Sequence, residues 1–89
     1  MKEFNGEVLK NIRTQLGWTQ SELASALMVS LSSVQKWEAS EAPIKRKYWP
    51  VIASSVLSTP FADLLRQGLV DCFGEAFVAS VSARASNAA

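Results

Sequence analysis

Apolar residues recur at three- and four-residue spacing through most of the chain, the mark of helices that bury one face. Val8, Leu9, Ile12 and Leu16 share such a face, so a first helix is expected from about Asn5 to Leu16. Gly17 then stops it, because glycine readily takes the left-handed conformation just past a helix end. In Thr19-Gln20-Ser21-Glu22 the Thr19 hydroxyl can accept the Glu22 amide while the Glu22 carboxylate reaches back to the Thr19 amide, which starts a second helix. Trp18 before this cap and Leu23 inside it form an apolar clasp that fixes the entry, and Leu23, Ala24 and Leu27 are the buried stripe. After Met28-Val29, Ser30 caps a third helix with Val34 and Trp37 on its inner side. Two short helices so close in sequence cannot lie antiparallel; they must cross steeply, in a helix-turn-helix.

The pattern pauses from Ala39 to about Lys47, which reads as a loop. A fourth helix is expected from Tyr48 or Trp49 to about Leu57, with Pro50 in its first turn, where a missing amide is harmless. Ser58-Thr59-Pro60 punctuates again. Phe61, Leu64, Leu65, Leu69, Phe73, Phe77 and Val81 continue at helical spacing, with a break expected at Gly68 or Gly74; residues 77–82 fit either a helix or an edge strand. The expected organisation is a helix-turn-helix domain over 1–58, a C-terminal helical segment over 59–85 and a disordered tail over 86–89. There is no internal repeat.

Composition narrows the functions open to such a chain. With 89 residues there is room for a single small domain, marginal alone, for which burial against a partner is a live prospect. No apolar run approaches the roughly 18 residues that cross a bilayer, and the first residues lack a secretory apolar stretch. With a single cysteine, Cys72, no intrachain disulfide can form; the chain reads as cytoplasmic, and Cys72 as a small buried residue in preference to an interchain disulfide. Histidine is absent, so the usual base of serine or cysteine hydrolysis is missing, and one cysteine cannot assemble a thiolate zinc site. The four glycines are scattered and form no phosphate loop. No enzyme, cofactor or metal is expected.

A net charge of +1 says little until the chain is divided. Residues 1–50 hold seven basic groups against five acidic ones, whereas 51–89 hold two against three. The densest basic run, Lys45-Arg46-Lys47, falls just after the third helix. It is either a solvated loop or a phosphate-binding patch.

The stretch from Arg13 to Glu38 resembles the XRE-type helix-turn-helix of lambdoid phage repressors and Cro proteins. The residues that carry the likeness are Leu-Gly-Trp-Thr-Gln-Ser-Glu-Leu-Ala from Leu16, Val29-Ser30, and Val34-Gln-Lys-Trp-Glu38. Lys45-Arg-Lys-Tyr-Trp-Pro-Val-Ile-Ala53 is similar to the basic-aromatic-proline entry of the fourth helix in some of those repressors. Two positions depart from the family pattern. Met28 stands at a turn position where glycine is usual and positive φ is often required, and Ser40 replaces a glycine common after Trp-Glu.

The resemblance implies an all-α, four- to five-helix lambda-repressor-like domain with an extra C-terminal helical segment. It also implies that the third helix enters the major groove of double-stranded DNA. On this chain Ser30, Leu31, Ser32, Gln35 and Lys36 would then meet base edges: Gln35 suits adenine N6 and N7, Lys36 guanine O6 and N7. Leu31 either touches a thymine methyl or packs against a neighbouring helix. Phosphate contacts would come from Arg13, Thr19, Gln20, Ser33, Lys45, Arg46 and Lys47. Arg13 and Glu38 match an ion pair of those repressors.

Val34, Trp37 and Trp18 read as core; Tyr48 and Trp49 read as core or dimer contact. The apolar stripe Phe61, Leu64, Leu65, Leu69, Phe73, Phe77 and Val81 exceeds what a four-helix core requires, and is expected to form a homodimer interface. The function implied is a sequence-specific repressor acting on a palindromic operator. The rivals are an antitoxin that represses its own operon, with a toxin on the C-terminal segment, and a helix-turn-helix used for protein contact alone.

Overall fold

The computed structural model describes residues 3–40 and 42–87, with side chains through residue 83. Among them six α-helices follow one another: α1 Gly6–Leu16, α2 Gln20–Leu27, α3 Leu31–Ala39, α4 Trp49–Leu57, α5 Ala62–Phe73 and α6 Glu75–Asn87. A 3-10 turn, Arg46–Tyr48, leads into α4. The fold is all-α, and α6 removes the edge-strand alternative for residues 77–82. Gly74 makes the break between α5 and α6 at φ 92°, whereas Gly68 lies inside α5. The backbone of α6 runs on to Asn87, taking in two of the four residues expected as a tail; Ala88 and Ala89 lie outside the described residues.

The chain forms two compact units, one of Phe4–Ile44 and one running from Lys45 onward and including Glu3. The helix α4 therefore groups with α5 and α6, while α1, α2 and α3 form the other unit.

The first unit is organised by local signals. The Asn5 side chain accepts the Val8 amide at 3.1 Å and starts α1. Thr19 and Glu22 complete the reciprocal cap of α2 at 3.1 and 2.9 Å, and the Ser30 hydroxyl accepts the Ser33 amide at 3.1 Å to start α3. Leu9, Ile12, Leu16, Leu23, Leu27 and Val34 supply the core. Ser40 ends α3 in extended backbone, so the glycine usual there is not needed.

Two features of this unit escape helical periodicity because they depend on segments distant in sequence meeting at backbone distance. Phe4 is buried ahead of α1; its carbonyl accepts the Ile44 amide at 2.8 Å beside an antiparallel bridge between Asn5 and Pro43. Gly6 is buried at the start of α1, where a Cβ would collide with the Trp37 carbonyl, so glycine is what lets α1 and α3 approach.

In the second unit α4, α5 and α6 pack on one another around Ile52, Val56, Leu65, Leu69, Phe73 and Val78. Trp49, Phe73 and Phe77 form an aromatic cluster with centroid separations of 4.7, 5.3 and 6.3 Å, which places Trp49 in the interior packing. Cys72 is a buried thiol. Most of the stripe expected at a dimer interface is consumed here: Leu65, Leu69, Phe73 and Val81 are buried, and Phe77 belongs to the aromatic cluster. Three helices packed on one another need more apolar surface than a single appended segment would. Phe61 and Leu64 alone of the seven stay exposed, at 42% and 70%.

Candidate nucleic-acid interface

Within the first unit, α2 and α3 are joined by Met28, Val29 and Ser30, and α3 also packs on α1. Val34 turns inward and is fully buried, and Trp37 is half-buried. The opposite side of α3 and its cap is open and, Leu31 apart, polar: Ser30, Leu31, Ser32, Gln35 and Lys36 are all exposed. At helical spacing they fall into two columns, Leu31 with Gln35 and Ser32 with Lys36. All five residues expected to meet base edges are thus accessible together on one short helix.

The first turn of α3 is partly occupied with itself. Besides capping the helix, the Ser30 hydroxyl lies 3.0 Å from that of Ser33. Ser33, expected at phosphate, is half-buried and has this local partner.

Beneath α3, Arg13 and Glu38 form a forked ion pair: Nε donates to Oε2 at 2.7 Å and Nη2 to Oε1 at 3.0 Å. Nη1 donates to the Trp18 carbonyl at 2.8 Å, so Arg13 also ties down the chain between α1 and α2. The Arg13 and Glu38 side chains are only 13% and 4% exposed. Hydrogen bonding to Glu38 raises the Arg13 pKa above its ordinary value, against the opposing effect of burial. Three of the five guanidinium N–H groups are engaged, so Arg13 works chiefly as a strut that fixes α1 to the end of α3.

Gln20, expected at phosphate, donates through Nε2 to Glu38 Oε1 at 3.2 Å. It therefore joins the strut. Thr19 is exposed, but its hydroxyl and amide are both used in the cap of α2. The amides of Gln20 and Ser21 are the ones that lack an intrahelical partner at this end. Lys10, Arg13, Gln20, Gln35, Glu38 and Ala39 line one shallow recess, which brings residues of α1, α2 and α3 together. Lys10 is a functional candidate the sequence reading missed. Its signal was present: it lies three residues before Arg13, on the same face of α1.

In the second unit the basic run is exposed and leans on its own aromatic neighbours. The Arg46 guanidinium lies 5.2 Å from the Trp49 ring and the Lys47 ammonium 5.1 Å from the Tyr48 ring. Such contacts orient the cations at about 0.5–1 kcal/mol each without neutralising them. Lys45 is also exposed and stands just before the 3-10 turn.

A helix-turn-helix with a polar, accessible second helix on a rigid apolar base defines a class: DNA-binding regulators that act on double-stranded DNA. A family model described as helix-turn-helix matches residues 9–49, and this segment belongs to the XRE-type helix-turn-helix family. That family is regulatory and not typically enzymatic. No curated protein and no solved structure matches the chain. Among the described residues no group of metal-binding side chains occurs, and no helix is long and apolar enough to cross a membrane.

Proposed function

We propose that the protein is a sequence-specific transcriptional repressor of the kind found in phages and mobile elements, acting as a homodimer on a palindromic operator. The observation that carries this reading is the exposure of Ser32, Gln35 and Lys36 on α3 while Val34 of the same helix is fully buried. Gln35 reads an adenine edge and Lys36 a guanine edge. Lys45, Arg46 and Lys47 supply phosphate contacts, which set register and affinity without reading sequence.

One such helix spans about half a turn of groove, so useful specificity calls for two copies related by a dyad. Phe61 and Leu64 are the exposed apolar residues of the C-terminal stripe and are assigned to the contact between copies. Deleting α5 and α6 would strip the cover from Ile52 and Val56 and so would not test this; Leu64→Lys, on the exposed surface, does. A dimer that persists in sedimentation with Leu64→Lys removes the assignment.

The experiment for the whole reading is selection of bound duplexes from a random pool. The expected product is a short palindrome with half-sites about one helical turn apart. Binding should weaken about a thousandfold or more between 50 and 200 mM salt if roughly 6–10 phosphates are neutralised. Recovery of no preferred duplex, with salt-independent binding, overturns it and favours a helix-turn-helix used for protein contact.

A further inference from the structure

We infer that Gly6 is the positioning residue that sets the tilt of α3, and through that tilt how sharply the protein tells its operator from other DNA. The inference rests on the reading of α3 as the groove-entering helix and deepens it by naming what aims that helix. Gly6 is the first residue of α1, is buried, and is not among the glycines with left-handed backbone. Its conformation therefore does not call for glycine; its neighbours do. A Cβ built there would overlap the carbonyl group of Trp37 and stand 2.9 Å from Cα of Glu38, backbone atoms in the last turn of α3.

Arg13 lies seven residues further along α1, two turns on and on the same side. It holds the same turn of α3 by another route, through the Glu38 carboxylate at 2.7 and 3.0 Å. The end of α3 is thus gripped by α1 at two points, one a backbone contact and one a side-chain bond. The start of α1 cannot back away. Phe4 is buried just before it, and the Phe4 carbonyl accepts the Ile44 amide at 2.8 Å.

Close-packed backbones have no slack for an added methyl, so the two must part by about 1 Å or more, and α3 is the side that yields. This helix of nine residues turns on Val34, fully buried near its middle. Leu31 and Trp37 lie equally far to either side of that pivot. A displacement of the last turn therefore reappears, reversed and of similar size, at the first turn. Hydrogen bonds to base edges hold over only about 2.7–3.2 Å, so a shift of that size breaks them. Phosphate contacts from Lys45, Arg46 and Lys47 are made from outside α3 and carry no sequence information.

The test uses the full chain, the duplex recovered by selection and a scrambled duplex of equal length. With Gly6→Ala, affinity for the selected duplex is expected to fall about tenfold per half-site and about a hundredfold on the palindrome, the loss of roughly one paired base contact in each. Affinity for the scrambled duplex should change by no more than about twofold, with the same slope in salt. Loss of stability alone cannot do this, because a smaller folded fraction lowers both affinities by the same factor. Phe4→Ala supplies the comparison: it removes a buried side chain two residues before Gly6 and adds nothing against Trp37. The protein should then be less stable, with the ratio of the two affinities unchanged.

An unchanged ratio with Gly6→Ala overturns the inference, as does an equal fall with Phe4→Ala. So does a Gly6→Ala chain that shows no helical circular dichroism even under saturating selected duplex, since Gly6 would then serve folding alone. The preference of the native protein, measured first, tests the DNA-binding reading, so the two failures are separate.

Discussion

The two units are built from the same material, short helices, by different means. In Phe4–Ile44 each helix begins at a side chain that takes up an amide: Asn5 for α1, Thr19 for α2, Ser30 for α3. In the unit from Lys45 onward, neither Tyr48 nor Phe61 makes a side-chain cap for α4 or α5. Those helices rest on the Trp49–Phe73–Phe77 cluster and the apolar contacts among α4, α5 and α6. Capping is written within four residues, whereas packing is written across thirty. The family match, over residues 9–49, falls almost wholly on the unit whose signals are local.

The contrast is open to breakage at its strongest point, the aromatic cluster. Phe73 is 5% exposed and touches both Trp49 and Phe77, so Phe73→Ala leaves a cavity in the packing on which α4, α5 and α6 rest. The expected loss is about 3–5 kcal/mol, a large share of what a small domain possesses. Denaturant unfolding gives the magnitude, and hydrogen exchange should show protection lost among the α4–α6 amides. A loss near 1 kcal/mol would mean that the second unit does not depend on this packing.

Arg13→Ala is the corresponding cut in the first unit. It leaves Glu38, 4% exposed, with the Gln20 amide as its remaining side-chain donor from this network. Removing one partner of a buried pair costs about 3 kcal/mol. Arg13→Lys should rescue little, because an ammonium cannot reproduce the forked bond to Glu38 and the contact with the Trp18 carbonyl. The folded-state pKa of Arg13 is raised, so its contribution is complete below the unfolded value and is lost only as pH climbs through the folded one. From the arginine side, then, the effect of Arg13→Ala should be constant through neutral and mildly alkaline pH. A native-minus-variant stability difference that shrinks across that range would contradict the strut.

These residues also mark what could be read from the chain alone. The caps at Thr19 and Ser30, the stop at Gly17 and the inward Val34 are short-range patterns, and each stands in the structure where it was expected. Phe4, Ile44 and Gly6 were not legible, since their roles depend on chain segments tens of residues away meeting at backbone distance. Gln20 was legible as a polar residue at a helix start, but its bond to Glu38 needed the approach of α2 to α3. The apolar stripe after residue 60 was visible as a stripe. How much of it three helices would consume among themselves was not, because periodicity reports that a face is apolar and not what covers it.

The smallest effect sharpens the comparison inside the first unit, between two helix ends of the same design. At the end of α1, Gly17 at φ 74° donates to the Thr14 carbonyl and Trp18 to the Arg13 carbonyl, each at 3.1 Å. At the end of α2, Met28 at φ 58° donates to Ser25 at 3.2 Å and Val29 to Ala24 at 3.0 Å. These are two copies of one left-handed turn, one built with the residue that suits it and one without. Met28 is 89% exposed, so its side chain recovers almost no burial for the strained backbone. Left-handed backbone costs a residue with a Cβ about 1–2 kcal/mol, of which the greater freedom of glycine in the unfolded chain offsets about half. Met28→Gly is therefore expected to stabilise by about 0.5–1 kcal/mol, a rise of several degrees in melting temperature for a domain of this size. Gly17→Ala is its mirror: nothing lies within 4 Å of the added Cβ, so the strain acts alone and should destabilise by about 1 kcal/mol. Opposite signs of similar size would show that backbone conformation governs both turns. If Met28→Gly lowers the melting temperature instead, the methionine side chain holds the turn by a contact that outweighs its strain.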